Sequence, residues 1–236
     1  MKTALVTGAG SGLGAEIAVR LSELGFDVGV HFHSSREAAE RVCERIESNG
    51  QRAFLLQANL GREAEVQKVR TEFEAEFSSL DLLVNNAGVY LAQDFYDQTE
   101  DDWFTELNST ATAVYFTTRA LLPMLRQAKG RIINIGDGVC DHPGARTKSP
   151  AYHIGKTGVW ILTRSIAKAE AEHGVAVNMI SPGLLETSVG LDSEAAVPAG
   201  RFGKFDDISA ALEFLAVHST AYLTGSNLVI GGGWNL

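Results

Sequence analysis

The stretch TALVTGAGSGLGAEIAVRL, residues 3–21, decides the fold. A short apolar run, Thr3–Val6, passes into Thr7-Gly8-Ala9-Gly10-Ser11-Gly12-Leu13-Gly14, and a helical pattern follows. Glycines at such a corner let the chain turn sharply and let an anionic group approach the backbone, where the helix N-terminus favours negative charge. A strand, a glycine turn and a helix in that order form the start of a dinucleotide-binding unit. Gly8, Ser11, Gly12, Leu13 and Gly14 are its candidate cofactor contacts. The plainer alternative is a glycine-rich turn that holds nothing.

The same alternation continues outward to the end of the chain. Strand candidates are Thr3–Val6, Val28–Phe32, Ala53–Gln57, Leu80–Asn85, Arg131–Ile135, Val175–Ile180 and Asn227–Ile230. Helical patterns lie near 13–24, 35–49, 62–77, 101–127, 151–173 and 206–217. The strands are short and nearly all apolar, as strands covered on both sides are. This pattern predicts an α/β fold, a Rossmann-type doubly wound parallel sheet of about seven strands with helices on both faces. No linker, repeat or low-complexity tract divides residues 1–236, so one domain is expected. Leu184–Lys204 lacks periodicity and follows the sixth strand, where ligands of such sheets bind, so 184–204 is a candidate substrate lid.

Bulk properties narrow the function. A net charge of -9 argues against nucleic acid or an anionic membrane as partner, and a small-molecule substrate is expected instead. No run reaches the roughly 18 apolar residues that span a bilayer, and no signal peptide precedes the first strand, so a cytoplasmic protein is expected. Cys43 and Cys140 are too few for a disulfide framework and read as reduced thiols. No His, Cys or Asp cluster has metal-ligand spacing, so no metal is expected.

The second strand ends in His31-Phe32-His33-Ser34-Ser35-Arg36, with no acid before Glu37. An acid there would hold a ribose 2′-hydroxyl and select NAD. His33, Ser34, Ser35 and Arg36 instead offer donors suited to a 2′-phosphate, which points to NADPH with NADH the lesser candidate. Ser34 or Ser35 also suits the helix cap.

Further on, Tyr152 and Lys156 stand one helical turn apart and share a face. An ammonium beside a phenol favours the phenolate and makes the tyrosine a usable proton donor. Here the chain resembles the short-chain dehydrogenase/reductase family along nearly its whole length. The matching pieces, in order, are TGAGSGLG (7–14), NNAG (85–88), Asn108, YHIGK (152–156), SPGLLET (181–187) and RFGKFDDIS (201–209). The resemblance implies an NADPH-dependent oxidoreductase in which Tyr152 is the proton donor and Lys156 bonds the nicotinamide ribose. It implies further that Asn86, Ala87 and Gly88 border the cofactor, that Pro182, Gly183 and Thr187 flank the nicotinamide, and that Asn108 holds a water in a proton relay. Asn59 and Leu60 stand where the family places an acid near the adenine. A homo-oligomer, a dimer or a homotetramer, is also implied, formed through the helices near 101–127 and 151–173.

One position departs from the family pattern. Where the family usually has a serine whose hydroxyl meets the substrate carbonyl, this chain has Asp137. A carboxylate only accepts hydrogen bonds, so it would oppose an alkoxide and raise the tyrosine pKa. It would suit a substrate bearing N–H groups. The pteridine reductase branch of the family carries such an Asp, an HFHSS-like segment (31–35 here) and an aromatic where Tyr90 stands. The leading expectation is therefore reduction of a C=O or C=N bond in a small substrate, a pterin foremost, with Tyr90, Asp137 and Leu184 touching it. The alternatives are a 3-oxoacyl-thioester or other carbonyl reductase and, more distantly, a non-catalytic dinucleotide-binding protein. The 15 residues from Asp137 to Tyr152 exceed the family's usual spacing, so Asp141, Thr147 or Ser149 could bring a hydroxyl or carboxyl in its place. Asp137 could also be a turn residue. His142 and His153 neighbour the site without a visible partner and read as solvent or packing residues.

Overall fold

A computed structural model describes residues 2–142, 144–189 and 193–234. Seven strands form one parallel sheet in the order β3-β2-β1-β4-β5-β6-β7. They are β1 Lys2–Val6, β2 Phe26–Phe32, β3 Ala53–Gln57, β4 Leu82–Asn85, β5 Arg131–Ile135, β6 Ala176–Pro182 and β7 Asn227–Ile230. The helices are α1 Gly12–Glu23, α2 Arg36–Ser48, α3 Glu63–Glu76, α4 Glu100–Leu107, α5 Ala113–Ala128, α6 Pro150–Glu170 and α7 Phe205–Glu213. Among the described residues no helix is long and apolar enough to cross a membrane.

Alternate residues of each strand feed two cores, because successive side chains leave opposite faces of a sheet. Ala4, Val6, Val28 and Val30 pack with Ile17 of α1, Val42 of α2 and Leu212 of α7. Leu5, Leu56, Leu83 and Ile132 pack with Val69 and Phe73 of α3 and with Leu121 and Leu125 of α5. Each fully buried Leu or Phe contributes on the order of 2 kcal/mol of transfer free energy. Helices therefore cover both faces, as the apolar strands predict.

The strand order reverses between β1 and β4, and a crevice opens beyond their carboxyl ends. A buried polar ladder ties that end of the sheet to α6. Asn85 Nδ2 donates to Asn134 Oδ1 at 2.9 Å, and Asn134 Nδ2 donates to Thr163 Oγ1 at 2.8 Å. Paired amides of this kind fix the rotation of α6 against β4 and β5.

The helix expected over 101–127 is interrupted. Asn108–Thr112 forms a π turn between α4 and α5, with the N–H of Ala113 reaching back to the Asn108 carbonyl. Ser109 Oγ and Thr110 Oγ1 both donate to the Glu106 carbonyl, at 3.2 and 2.6 Å. These hydroxyls compete with the backbone ladder and widen it. In the expected lid, Leu185 and Gly203 pair across a bridge, and residues 190–192 lie outside the described residues.

Candidate active site

The glycine turn is built by close approach. Gly8 and Gly12 have φ of 64° and 57°, the left-handed region that glycine adopts without strain. A Cβ at Gly14 would stand 2.3 Å from Gly8 O and 2.4 Å from Asn86 Nδ2, whereas one at Gly12 would meet nothing within 4 Å. One side of the turn is therefore shut against the protein and the other is open. The first turn of α1 carries no acid, and Ser11 caps it without a side-chain bond, so its N–H groups face outward for an anion. The residues present fit a dinucleotide.

Neighbouring elements lock this turn. Thr7 Oγ1 accepts from the N–H groups of Asn86 and Ala87 at 2.9 and 3.0 Å, and Asn86 Nδ2 donates to Thr7 O and Gly8 O. His31 Nδ1 accepts from Gly8 N–H at 3.1 Å while its Nε2 lies 3.1 Å from Ala58 O. Burial lowers the His31 pKa to about 4, so the ring is neutral with its proton on Nε2. Sequence reasoning placed His31 only in the HFHSS segment and did not reveal its bond to the glycine turn. The uninterrupted burial of β2 is the physical cause of that role.

At the end of β2, His33, Ser34, Ser35 and Arg36 are all exposed, and Arg36 Nε donates to Glu40 Oε1 at 3.0 Å. Asn59 closes a turn, its Oδ1 accepting from Gly61 N–H at 3.0 Å, and Leu60 is buried beside it. Asn108 packs against Gly61, whose Cβ would lie 2.9 Å from Asn108 Cβ. Asn108 Cβ therefore lies against the loop that follows β3. Thr110 packs between α6 and the loop after β4, since Cβ atoms at Gly155 and Gly88 would lie 1.9 Å from its Oγ1 and 3.4 Å from its Cγ2.

A cavity of about 640 Å³ lies at the carboxyl ends of β4, β5 and β6. Leu13 lines it from the glycine turn, Asn86, Gly88 and Tyr90 from the loop after β4, Asp137 from the loop after β5, and Tyr152, His153 and Lys156 from α6. Pro182, Gly183 and Leu184 complete it, while Thr187 is exposed in a smaller cleft beside Gly12 and Leu13. Lys156 Nζ donates to Ile135 O at 2.8 Å and lies 5.6 Å from the centre of the Tyr152 ring. Burial lowers the lysine pKa to about 8. The expectation that lysine would lower the tyrosine pKa needs correction, because burial, followed by Asp137, Tyr90 and Glu106, holds it above its ordinary value. Desolvation outweighs an ammonium turned toward a backbone carbonyl.

Asp137 is doubly held. Its Oδ1 accepts from Val139 N–H at 3.4 Å, the turn role, and its Oδ2 lies 2.9 Å from His153 Nδ1. His153 therefore has a partner that the sequence did not reveal. Of the three replacement candidates only Thr147 lines the cavity. Ser149 is buried and accepts from Gln93 N–H, and Asp141 Oδ2 accepts from Asn227.

Glu106 is a second residue that sequence reasoning missed. It is fully buried, and its carboxylate accepts from Leu91 N–H at 3.0 Å, Gln98 Nε2 at 2.6 Å and Tyr152 N–H at 3.2 Å. It joins the cavity lip to the first turn of α6. Among the described residues no cluster of His, Cys, Asp and Glu could hold a metal.

The sequence model described as short chain dehydrogenase matches residues 2–196. A 3-oxoacyl-(acyl-carrier-protein) reductase of Staphylococcus aureus is 35% identical over 98% of this chain and 97% of its own length. The Synechocystis reductase of the same name is 35% identical over 98% and 96%. A Burkholderia cenocepacia short chain dehydrogenase, solved in complex with NADP, superposes with a TM-score of 0.92 at 30% identity, over 100% of this chain and 98% of its own. A blue fluorescent protein from a metagenomic library, solved with NADPH, gives 0.91 at 29% identity over 100% and 98%.

Proposed function

The chain belongs to the short-chain dehydrogenase/reductase family and is an oxidoreductase, and from that premise we propose that it reduces small carbonyl substrates, 3-oxoacyl thioesters foremost, with NADPH. The observation that carries this reading is the single cavity joining the glycine turn to Tyr152 and Lys156. When bound, the nicotinamide supplies the hydride. Gly8, Ser11, Gly12, Leu13 and Gly14 would cradle the pyrophosphate; Asn59, Leu60, Asn86, Ala87 and Gly88 would follow the adenosine and ribose; Pro182, Gly183 and Thr187 would border the nicotinamide. The preference for NADPH rests on the donors His33, Ser34, Ser35 and Arg36, and on the NADP and NADPH found in the two structural relatives.

Tyr152 gives its phenolic proton to the substrate oxygen. A neutral phenol is the form a donor must have, and burial keeps Tyr152 in it. Lys156, charged below about pH 8, offsets the phenolate left behind. Asp137 Oδ2 lies 2.9 Å from His153 Nδ1, so the carboxylate does not face the cavity as an unpaired charge, which supports a carbonyl substrate. The pterin reading keeps one supporting observation. Tyr90 stands on the cavity wall with its ring 5.1 Å from that of Tyr152, a surface suited to a flat ring.

NADPH oxidation measured with acetoacetyl-CoA and with dihydrobiopterin tests the choice. Turnover of the thioester supports the proposal, and turnover of the pterin alone sinks it. We propose also that 184–204 acts as a substrate lid, Leu184, Ser193 and Ala196 being on the cavity wall. Self-association through α4, α5 and α6 is supported by Phe104, Tyr115 and Ile161, which are 50%, 44% and 61% exposed. Light scattering that gives a monomer mass would contradict it.

A further inference from the structure

Two residues distant in sequence meet beside the tyrosine. Asp137 follows β5, and His153 follows Tyr152 in the first turn of α6. Gly136 N–H donates to Ile180 O and Gly138 N–H to Pro182 O, so the backbone on both sides of Asp137 is pinned along β6. The side chains of Asp137 and His153 are 12% and 20% exposed and meet at 2.9 Å through Oδ2 and Nδ1. Both line the cavity, and the His153 ring lies 5.4 Å from that of Tyr152 and 6.1 Å from that of Tyr90. With Nδ1 committed to the carboxylate, Nε2 is the polar atom of the ring left for a ligand.

We infer that His153, oriented by Asp137, is a second catalytic residue whose imidazolium donates from Nε2 to the carbonyl oxygen of the substrate. The inference rests on the carbonyl-reductase reading above and deepens it. An imidazolium has two N–H donors. One goes to Asp137 and fixes the ring, as a carboxylate beside a histidine does in hydrolytic triads. The other meets an oxygen entering the cavity. An imidazolium paired with the carboxylate gives no net charge, and in that form Asp137 no longer opposes an alkoxide forming at that oxygen.

In the reduction, hydride adds to the carbonyl carbon and the π pair moves onto oxygen. The phenolic O–H of Tyr152 breaks and its proton forms the new O–H bond. His153 keeps its proton and contributes a hydrogen bond that strengthens as negative charge builds, so its effect falls on the transition state. This supplies the donor that the sequence lacks at position 137. Thr147 is the rival donor, since it also lines the cavity.

The test combines kinetics with nitrogen-15 histidine NMR. Reduction of acetoacetyl-CoA, and of diacetyl as a carbonyl without the thioester, is followed in the wild type, His153→Ala, His153→Gln and Thr147→Val. His153→Ala lowers kcat about 100-fold with little change in KM, the scale of one lost oxyanion donor. His153→Gln restores a neutral N–H donor and recovers part of that loss, and Thr147→Val costs at least tenfold less than His153→Ala. The wild-type spectrum shows an exchange-protected Nδ1–H that vanishes in both His153→Ala and Asp137→Asn. Wild-type kcat in His153→Ala, an equal loss in Thr147→Val, or no protected Nδ1–H overturns the inference. Reduction of diacetyl but not of the thioester sinks the substrate reading alone, and the same variant pattern on diacetyl still upholds His153.

Discussion

At the residue scale the account depends on three titrating groups. Tyr152→Phe removes the proton donor and is expected to lower kcat by about 100-fold or more, within the range of general acid catalysis. A fully active variant would end the proposed mechanism. Lys156 titrates near 8 because burial disfavours its charge, so kcat for reduction should fall as pH rises through about 8. A rate that stays level to about pH 10, the range of an ordinary lysine, contradicts the role given to its charge. His31 bears on stability. Its folded pKa of about 4 lies below the ordinary 6.5, so the unfolded chain takes up the proton first in acid. Stability is then intact above about 6.5 and is lost as pH falls toward 4, by up to about 3 kcal/mol. Urea midpoints across that window, compared between the wild type and His31→Gln, measure it. An unchanged pH slope in the variant would rule His31 out as its source.

At the element scale, the glycine turn and the first turn of α6 carry the site. Gly14→Ala puts a Cβ against Gly8 O and Asn86 Nδ2, both held by other bonds, so the turn must open and NADPH binding should be lost. Fluorescence titration with NADPH reads this directly, and wild-type affinity would contradict the packing. Glu106→Ala leaves the N–H groups of Leu91 and Tyr152 and the Gln98 amide without their buried acceptor, at a cost of about 3 kcal/mol or more. Glu106→Gln keeps one acceptor and should cost less. Equal denaturation midpoints for the two variants would show that the carboxylate is not what binds the lip to α6. The strands, the glycine turn and the tyrosine–lysine pair were legible in the sequence because each is a local pattern. The π turn was not, since it arises from side-chain hydroxyls bonding the Glu106 carbonyl. Nor were the Asp137–His153 contact and the three bonds to Glu106 legible. They join α6 to a β5 loop and a lip distant in sequence, and only the folded register brings them together.

At the scale of the whole molecule, the reversal of strand order puts the glycine turn, the carboxyl ends of β4 to β6 and the first turn of α6 around one cavity. The open end of β2 should set the choice of cofactor. Arg36→Ala is expected to raise KM for NADPH about tenfold while leaving NADH unchanged, the effect of one lost charge-assisted contact. Equal effects on both cofactors would remove the 2′-phosphate from the account. The fold was anticipated through its alternation of strands and helices. The substrate class was less legible, because Asp137 read alone points to a pterin, whereas its contact with His153 supports the proposed carbonyl reading, which the sequence offered only as an alternative. The most direct measurement is therefore the oxidation of NADPH by the purified protein in the presence of acetoacetyl-CoA, with Tyr152→Phe alongside. The account predicts turnover of the thioester by the wild type and its near-complete loss in the variant; no turnover, or turnover unaffected by the substitution, would contradict it.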